Sequence, residues 1–145
     1  MASLELFGFD ELADAYLRIR EIPWPVMEKA LDEMADTGLR KIRDKGREMD
    51  VYDPESNVHI LDKLKRRKAV RTDSGGYADV TFSGSRTSET GKRTLNARIA
   101  FENEYGNRRQ AARPFVRTIM EGEADEILGA ADEIMDWVED TFNQD

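Results

Sequence analysis

The period of the apolar residues changes twice along this chain of 145 residues, and that change restricts it to a mixed fold of helices and strands. Between residues 25 and 49, Met27, Leu31, Met34, Gly38, Ile42 and Met49 recur at helical spacing. Glu28, Asp32, Lys41, Asp44, Lys45 and Glu48 take the opposite side, so one long helix with a single dry face is expected, opened by Pro25 in a first turn that does not need its missing N–H. Phe9, Leu12, Tyr16 and Ile19 predict a shorter helix over residues 8–21, ended by Pro23. After the break at Asp53-Pro54, Val58, Leu61 and Leu64 predict another short helix within residues 56–66.

The period then falls to two. Asp73-Ser74-Gly75-Gly76 separates residues 68–72 from 77–82 and suits a hairpin, with Ala78, Val80 and Phe82 on one face and Tyr77, Asp79 and Thr81 on the other. Leu95, Ala97, Ile99 and Phe101 alternate with Asn96, Arg98, Ala100 and Glu102, which predicts a third strand. Residues 83–93 hold serine, threonine, glycine and basic residues with nothing to fill a core, so a mobile loop is expected there. Helical period returns from Pro114 to Phe142 through Phe115, Ile119, Ile127, Leu128, Ala131, Ile134 and Val138, with Gly122 as a weak point. The expected fold class is α+β. One domain over residues 1–145 would place a small antiparallel sheet of about three strands, a hairpin plus one, against two long amphipathic helices.

Few chemistries find their residues. There is no cysteine, hence no disulfide framework and no thiolate nucleophile or zinc site. His59 is the only histidine, and beside Val58 and Ile60 it reads as a surface or packing residue. Phosphate-loop, dinucleotide-binding and nucleophile-elbow patterns are missing, because Gly75-Gly76 and Gly84 lack a strand-to-helix context. Glu102 and Glu104 form a candidate acid/base or Mg²⁺ pair, although carboxylates so placed are more often solvated or bridged to arginine. The expectation is therefore a chain that is no enzyme and needs no cofactor or metal. No apolar run approaches the ~18 residues of a membrane span, and the first residues lack a basic segment followed by an apolar one, so a soluble protein without membrane contact is expected.

Charge is more informative than its total. The formal net charge is −8, yet residues 1–62 carry 8 basic against 15 acidic residues, residues 63–117 carry 14 against 5, and residues 118–145 carry none against 10. A basic middle between acidic ends suits an acidic partner surface, including that of a second copy. Lys63, Lys65, Arg66, Arg67, Lys68 and Arg71 form one basic group, and Arg108, Arg109, Arg113 and Arg117 a second. The first group also resembles a phosphate-contacting patch, so a DNA-contacting module using residues 63–71 is the alternative, weakened by the scarcity of interleaved aromatics.

Phe101-Glu102-Asn103-Glu104-Tyr105-Gly106, followed by Ala112-Arg113-Pro114-Phe115-Val116-Arg117, resembles the tailed-phage neck and tail-completion proteins of the gene-product-ten type, related to the minor tail protein Z group. Gly8-Phe9-Asp10-Glu11-Leu12 before a long second helix is similar to the start of that family. The chain departs from the family at Tyr52 to Val58, at Gly106-Asn107 and at Thr118-Ile119. The resemblance implies a structural virion protein, made in the host bacterial cytoplasm, that forms a ring of six subunits at the head-tail junction. Its partners would be copies of itself, the head connector or stopper, and the tail tube or tail terminator, with genome DNA passing through the lumen. A tail terminator capping the tube is the neighbouring role. Arg66, Arg67, Arg86, Arg108, Arg109 and Arg117 are the expected subunit or partner contacts. Glu102, Glu104, Tyr105, Gly106, Arg113, Pro114 and Phe115 form the structural motif, in which Gly106 turns the chain, Pro114 opens the last helix, Phe115 anchors it, and Glu102 or Glu104 holds Arg113.

Overall fold

The computed structural model describes residues 23–53, 58–73, 75–134, 136 and 140. The helix expected over residues 8–21 lies outside them.

Helix α1 (Trp24–Glu48) buries Met27, Ala30, Leu31, Met34, Ala35, Gly38, Ile42 and Gly46 along one stripe, as the sequence predicts. A single 3₁₀ turn, Ile60–Lys63, stands where a short helix was expected. His59 caps this turn: its Nδ1 accepts from the Leu61 N–H, which leaves the Nε2 proton to donate to the Val51 carbonyl. Both ring nitrogens are thus used in packing one loop.

Among the described residues six short strands follow: β1 (Leu64–Arg66), β2 (Val70–Thr72), β3 (Gly75–Tyr77), β4 (Val80–Phe82), β5 (Ser85–Thr87) and β6 (Arg93–Leu95). β2 pairs with β3, and β1 with β4 in the register Leu64 to Phe82 and Arg66 to Val80, so the first four strands are one antiparallel ribbon interrupted midway. The Arg67 N–H to Asp79 carbonyl bond carries the ladder across part of that gap. A two-stranded ribbon is marginal in water and needs cover on one face. Ala78, Val80 and Phe82 turn inward as expected, and α1 covers them. The indole of Trp24 lies so close to Gly76 that a Cβ there would sit 2.7 Å from Cζ3. Glycine at 76 therefore serves this approach as much as the hairpin bend.

Two expectations are corrected. Residues 83–93 are not an open loop, because β5 and β6 pair as a second hairpin, Ser85 opposite Leu95 and Thr87 opposite Arg93. The third strand is a helix, α2 (Asn96–Tyr105). Its buried side is Asn96, Ala100, Asn103 and Glu104, at helical spacing, while Leu95 and Phe101 of the apparent alternation are more than half exposed. The alternation misleads because this helix buries polar side chains and exposes apolar ones.

The last helical region breaks near Gly122 into α3 (Phe115–Gly122) and α4 (Ala124–Gly129), and helical backbone resumes at 132–134. One long second helix is thus replaced by shorter pieces. Phe115, Ile119, Ile127 and Ala131 face the core, where Phe115 meets Phe82 edge to face with ring centroids 6.0 Å apart. Lys41 on α1 bridges Glu123 at 3.1 Å and Glu126 at 2.5 Å, and the hydrogen bond to Glu126, then that to Glu123, raises its pKa above the ordinary lysine value. The α+β class, with small antiparallel sheets packed against helices, is what the chain adopts.

Candidate subunit interface

The motif from Phe101 to Arg117 joins α2 to α3, and its centre is a buried carboxylate. Pro114 precedes α3 without any side-chain cap. Glu104, on the neighbouring helix, supplies it: Oε2 accepts from the Val116 N–H at 3.0 Å and Oε1 from the Arg117 N–H at 2.9 Å. A negative charge at a helix N-terminus satisfies orphan donors and complements the dipole. Arg117 closes the arrangement through Nε to Glu104 Oε1 at 3.1 Å and Nη2 to the Glu104 carbonyl, and its guanidinium lies 4.8 Å from the Tyr105 ring centroid. Asn103 locks the other side, taking the Tyr52 N–H on Oδ1 and donating Nδ2 to the Tyr52 and Ile99 carbonyls. Gly106 turns with φ 76°, and a Cβ there would meet the Ala112 nitrogen at 2.8 Å, so the turn is built for glycine.

Arg113 is not held by Glu102 or Glu104. Glu104 is taken as described, and Glu102 pairs with Arg98 at 3.5 Å one turn away on α2. Arg113 Nη1 is shielded from solvent and has no acceptor among the described residues. A buried guanidinium donor left unmade costs about 1–3 kcal/mol. Nor do Glu102 and Glu104 share a site, since Glu104 points into the α2–α3 packing and Glu102 lines the groove described next. No cluster of three or more metal-ligating side chains occurs among the described residues.

Arg113 lines an open groove of about 1200 Å³ between the β5–β6 hairpin, α2 and the loop 107–113. Its cations come from distant parts of the sequence: Arg86 and Lys92 from the hairpin, Arg98 from α2, Arg108, Arg109 and Arg113 from the loop. Two are neutralised within the chain. Arg86 meets both oxygens of the buried Asp53 and also bonds Asn96 Oδ1. Arg98 has Glu102. Lys92, Arg108, Arg109 and Arg113 have no acidic partner among the described residues, and the groove's carboxylates, Asp53 and Glu102, are both engaged. Elsewhere on α2, Phe101 and Tyr105 are exposed by 54% and 55%, their ring centroids 4.6 Å apart and their planes tilted at 44°.

Each expected contact arginine thus has a definite place. Arg108 and Arg109 line the groove, exposed and unpaired. Arg67 is exposed at the end of β1, away from the groove lining. Arg66, Arg86 and Arg117 serve the fold instead: Arg66 reaches Asp32 and Asp36 on successive turns of α1, each at 2.7 Å, and the Asp36 hydrogen bond chiefly raises its pKa. Within the basic run of residues 63–71, Lys65, Arg67, Lys68 and Arg71 stay exposed, and none of that run lines the groove. The sequence does not single out Lys92 or Arg98 as contacts, because only the fold brings them into one groove with Arg108 and Arg109. No known protein family, characterised protein or solved structure matches the chain.

Proposed function

We propose that this chain is a structural virion protein that assembles with copies of itself into a ring at the head-tail junction of a tailed phage, joining the head connector to the tail tube. The observation that carries the reading is the groove: four cations without a partner among the described residues, gathered in one groove of a chain whose net charge is −8. A basic face opposite an acidic one gives a contact between unlike surfaces, the arrangement that closes rings when the rotation permits. Electrostatic matching of this kind fixes register and steers encounter. The motif from Phe101 to Arg117, whose resemblance points to the neck proteins, forms one wall of the same groove through Glu102 and Arg113.

Reversing the two exposed loop charges tests it. R108E/R109E should leave a folded chain with an unchanged melting curve, because neither side chain has a partner to lose among the described residues. Particles made with that variant should contain filled heads without attached tails. Normal numbers of tailed, infectious particles would overturn the reading.

A further inference from the structure

We infer that the β1–β4 ribbon is a contact for the phosphate backbone of a DNA duplex, made by Lys65, Arg67, Lys68 and Arg71. This surface is separate from the groove, which none of the four residues lines, and it does not depend on the proposed ring. Within the same basic run Arg66 turns inward to Asp32 and Asp36 and serves the fold. Lys65, Arg67, Lys68 and Arg71 are exposed and have no acidic partner among the described residues.

The strand pairing explains how so many cations reach solvent. From Arg66 to Val70 the chain takes four steps, while their partners Val80 and Tyr77 are three apart. One extra residue therefore lies between β1 and β2, the arrangement of a β-bulge, which re-aims the side chains beside it. Strict alternation would turn one of two neighbouring residues inward. Here Arg67 and Lys68 are both exposed, and Ala69 takes the buried place. Tyr77, Asp79 and Thr81 share the outward face, so Val70 opposite Tyr77 and Lys65 opposite Thr81 share it too.

A two-stranded ribbon fits the roughly 12 Å width of a major groove, and lysine and arginine are the usual phosphate ligands. Two of the four cations are lysines, which protein–protein interfaces deplete, so a polyanion is favoured over an acidic protein surface. The exposed Tyr77 adds a neutral donor of the kind that also contacts phosphates. Residues 64–82 carry five basic and two acidic residues in a chain of net charge −8. The attraction is therefore local, and the binding it gives is weak, independent of sequence and strongly dependent on salt.

Fluorescence anisotropy of the full-length chain with a labelled duplex of about 20 base pairs tests the inference. Four phosphate contacts give log K a slope near −3.6 against log salt, so binding should weaken roughly a hundredfold between about 50 and 200 mM. R67Q/K68Q should halve that slope, and the same rise in salt then costs only about tenfold. K65Q/R71Q should behave alike, so a folding defect in one pair does not decide the outcome. R108Q/R109Q removes the same net charge from the groove and should leave the slope unchanged. The inference is overturned if the duplex does not bind at about 50 mM salt. It is equally overturned if neither ribbon variant lowers the slope, or if the groove variant lowers it as much. Ribbon variants that dissociate self-assembled protein while duplex binding persists assign the ribbon to an acidic protein surface instead. Failure of the virion role alone would leave the duplex titration unchanged, so the two readings fail separately.

Discussion

F115A is expected to lower the unfolding free energy by about 3–5 kcal/mol, the range for emptying a buried aromatic site. Phe115 is fully buried, stands at the start of α3, meets Phe82 edge to face and closes over Gly46 of α1. Its ring therefore joins three elements, α1, β4 and α3, and the cavity left by alanine opens onto all of them. For a chain of this size the loss corresponds to a fall in melting temperature of roughly 8–15 °C. F115M keeps most of the volume and should cost about 1.5 kcal/mol or less. Thermal unfolding of the three chains checks it. An alanine variant melting within ~2 °C of the native chain would remove Phe115 from the centre of the core.

Removing the Glu104 carboxylate should be nearly as costly. It sits 5% exposed and accepts two backbone N–H bonds at the start of α3 in addition to Arg117. E104A leaves both amide groups buried without a partner, and Pro114 has no side-chain cap to replace it. The expected loss is about 3 kcal/mol, from two charge-assisted hydrogen bonds. E104Q keeps one acceptor oxygen and should recover roughly half of that. Amide exchange resolves the mechanism: the Val116 and Arg117 amides should exchange faster in E104A than in E104Q, ahead of the rest of the fold. Equal protection of these amides in the native chain and in E104A would contradict the capping role.

Glu104 also shows why part of this fold was unreadable. The sequence points correctly to elements whose burial follows hydrophobicity: the α1 stripe from Met27 to Ile42, the inward Ala78, Val80 and Phe82, the start of the last helix at Pro114-Phe115, and its break near Gly122. In α2 the rule is reversed, with Asn96, Asn103 and Glu104 buried and Leu95 and Phe101 exposed, so the alternation of Leu95 to Phe101 imitates a strand. A different signal was present. Ala97, Arg98, Ala100 and Glu102 are good helix formers and Gly106 follows at the C-terminal end, which together favour a helix. The β5–β6 hairpin had no hydrophobic period to read, because Arg86 anchors it through Asp53 and Asn96 rather than through an apolar face.

The contact arginines divide along a similar line. Sequence gives charge but not partnership, and a carboxylate 33 positions away consumes Arg86 while Arg108 and Arg109 find none among the described residues. Segregation of charge along the chain pointed to an intermolecular surface. The fold gathers part of that basic middle into one groove, to which hairpin, helix and loop each contribute.

The most direct test of assembly by charge matching is the mass of the native protein at low and high ionic strength. The screening length falls from about 30 Å at 0.01 M salt to about 3 Å at 1 M, so contacts between solvent-reachable charges should weaken strongly across that range. One closed multiple of the 16.6 kDa chain at low salt, six copies by the ring reading, falling to the single chain at high salt, is the predicted result. A single chain at every concentration and salt, or a ladder of masses that lengthens without closing, would contradict it.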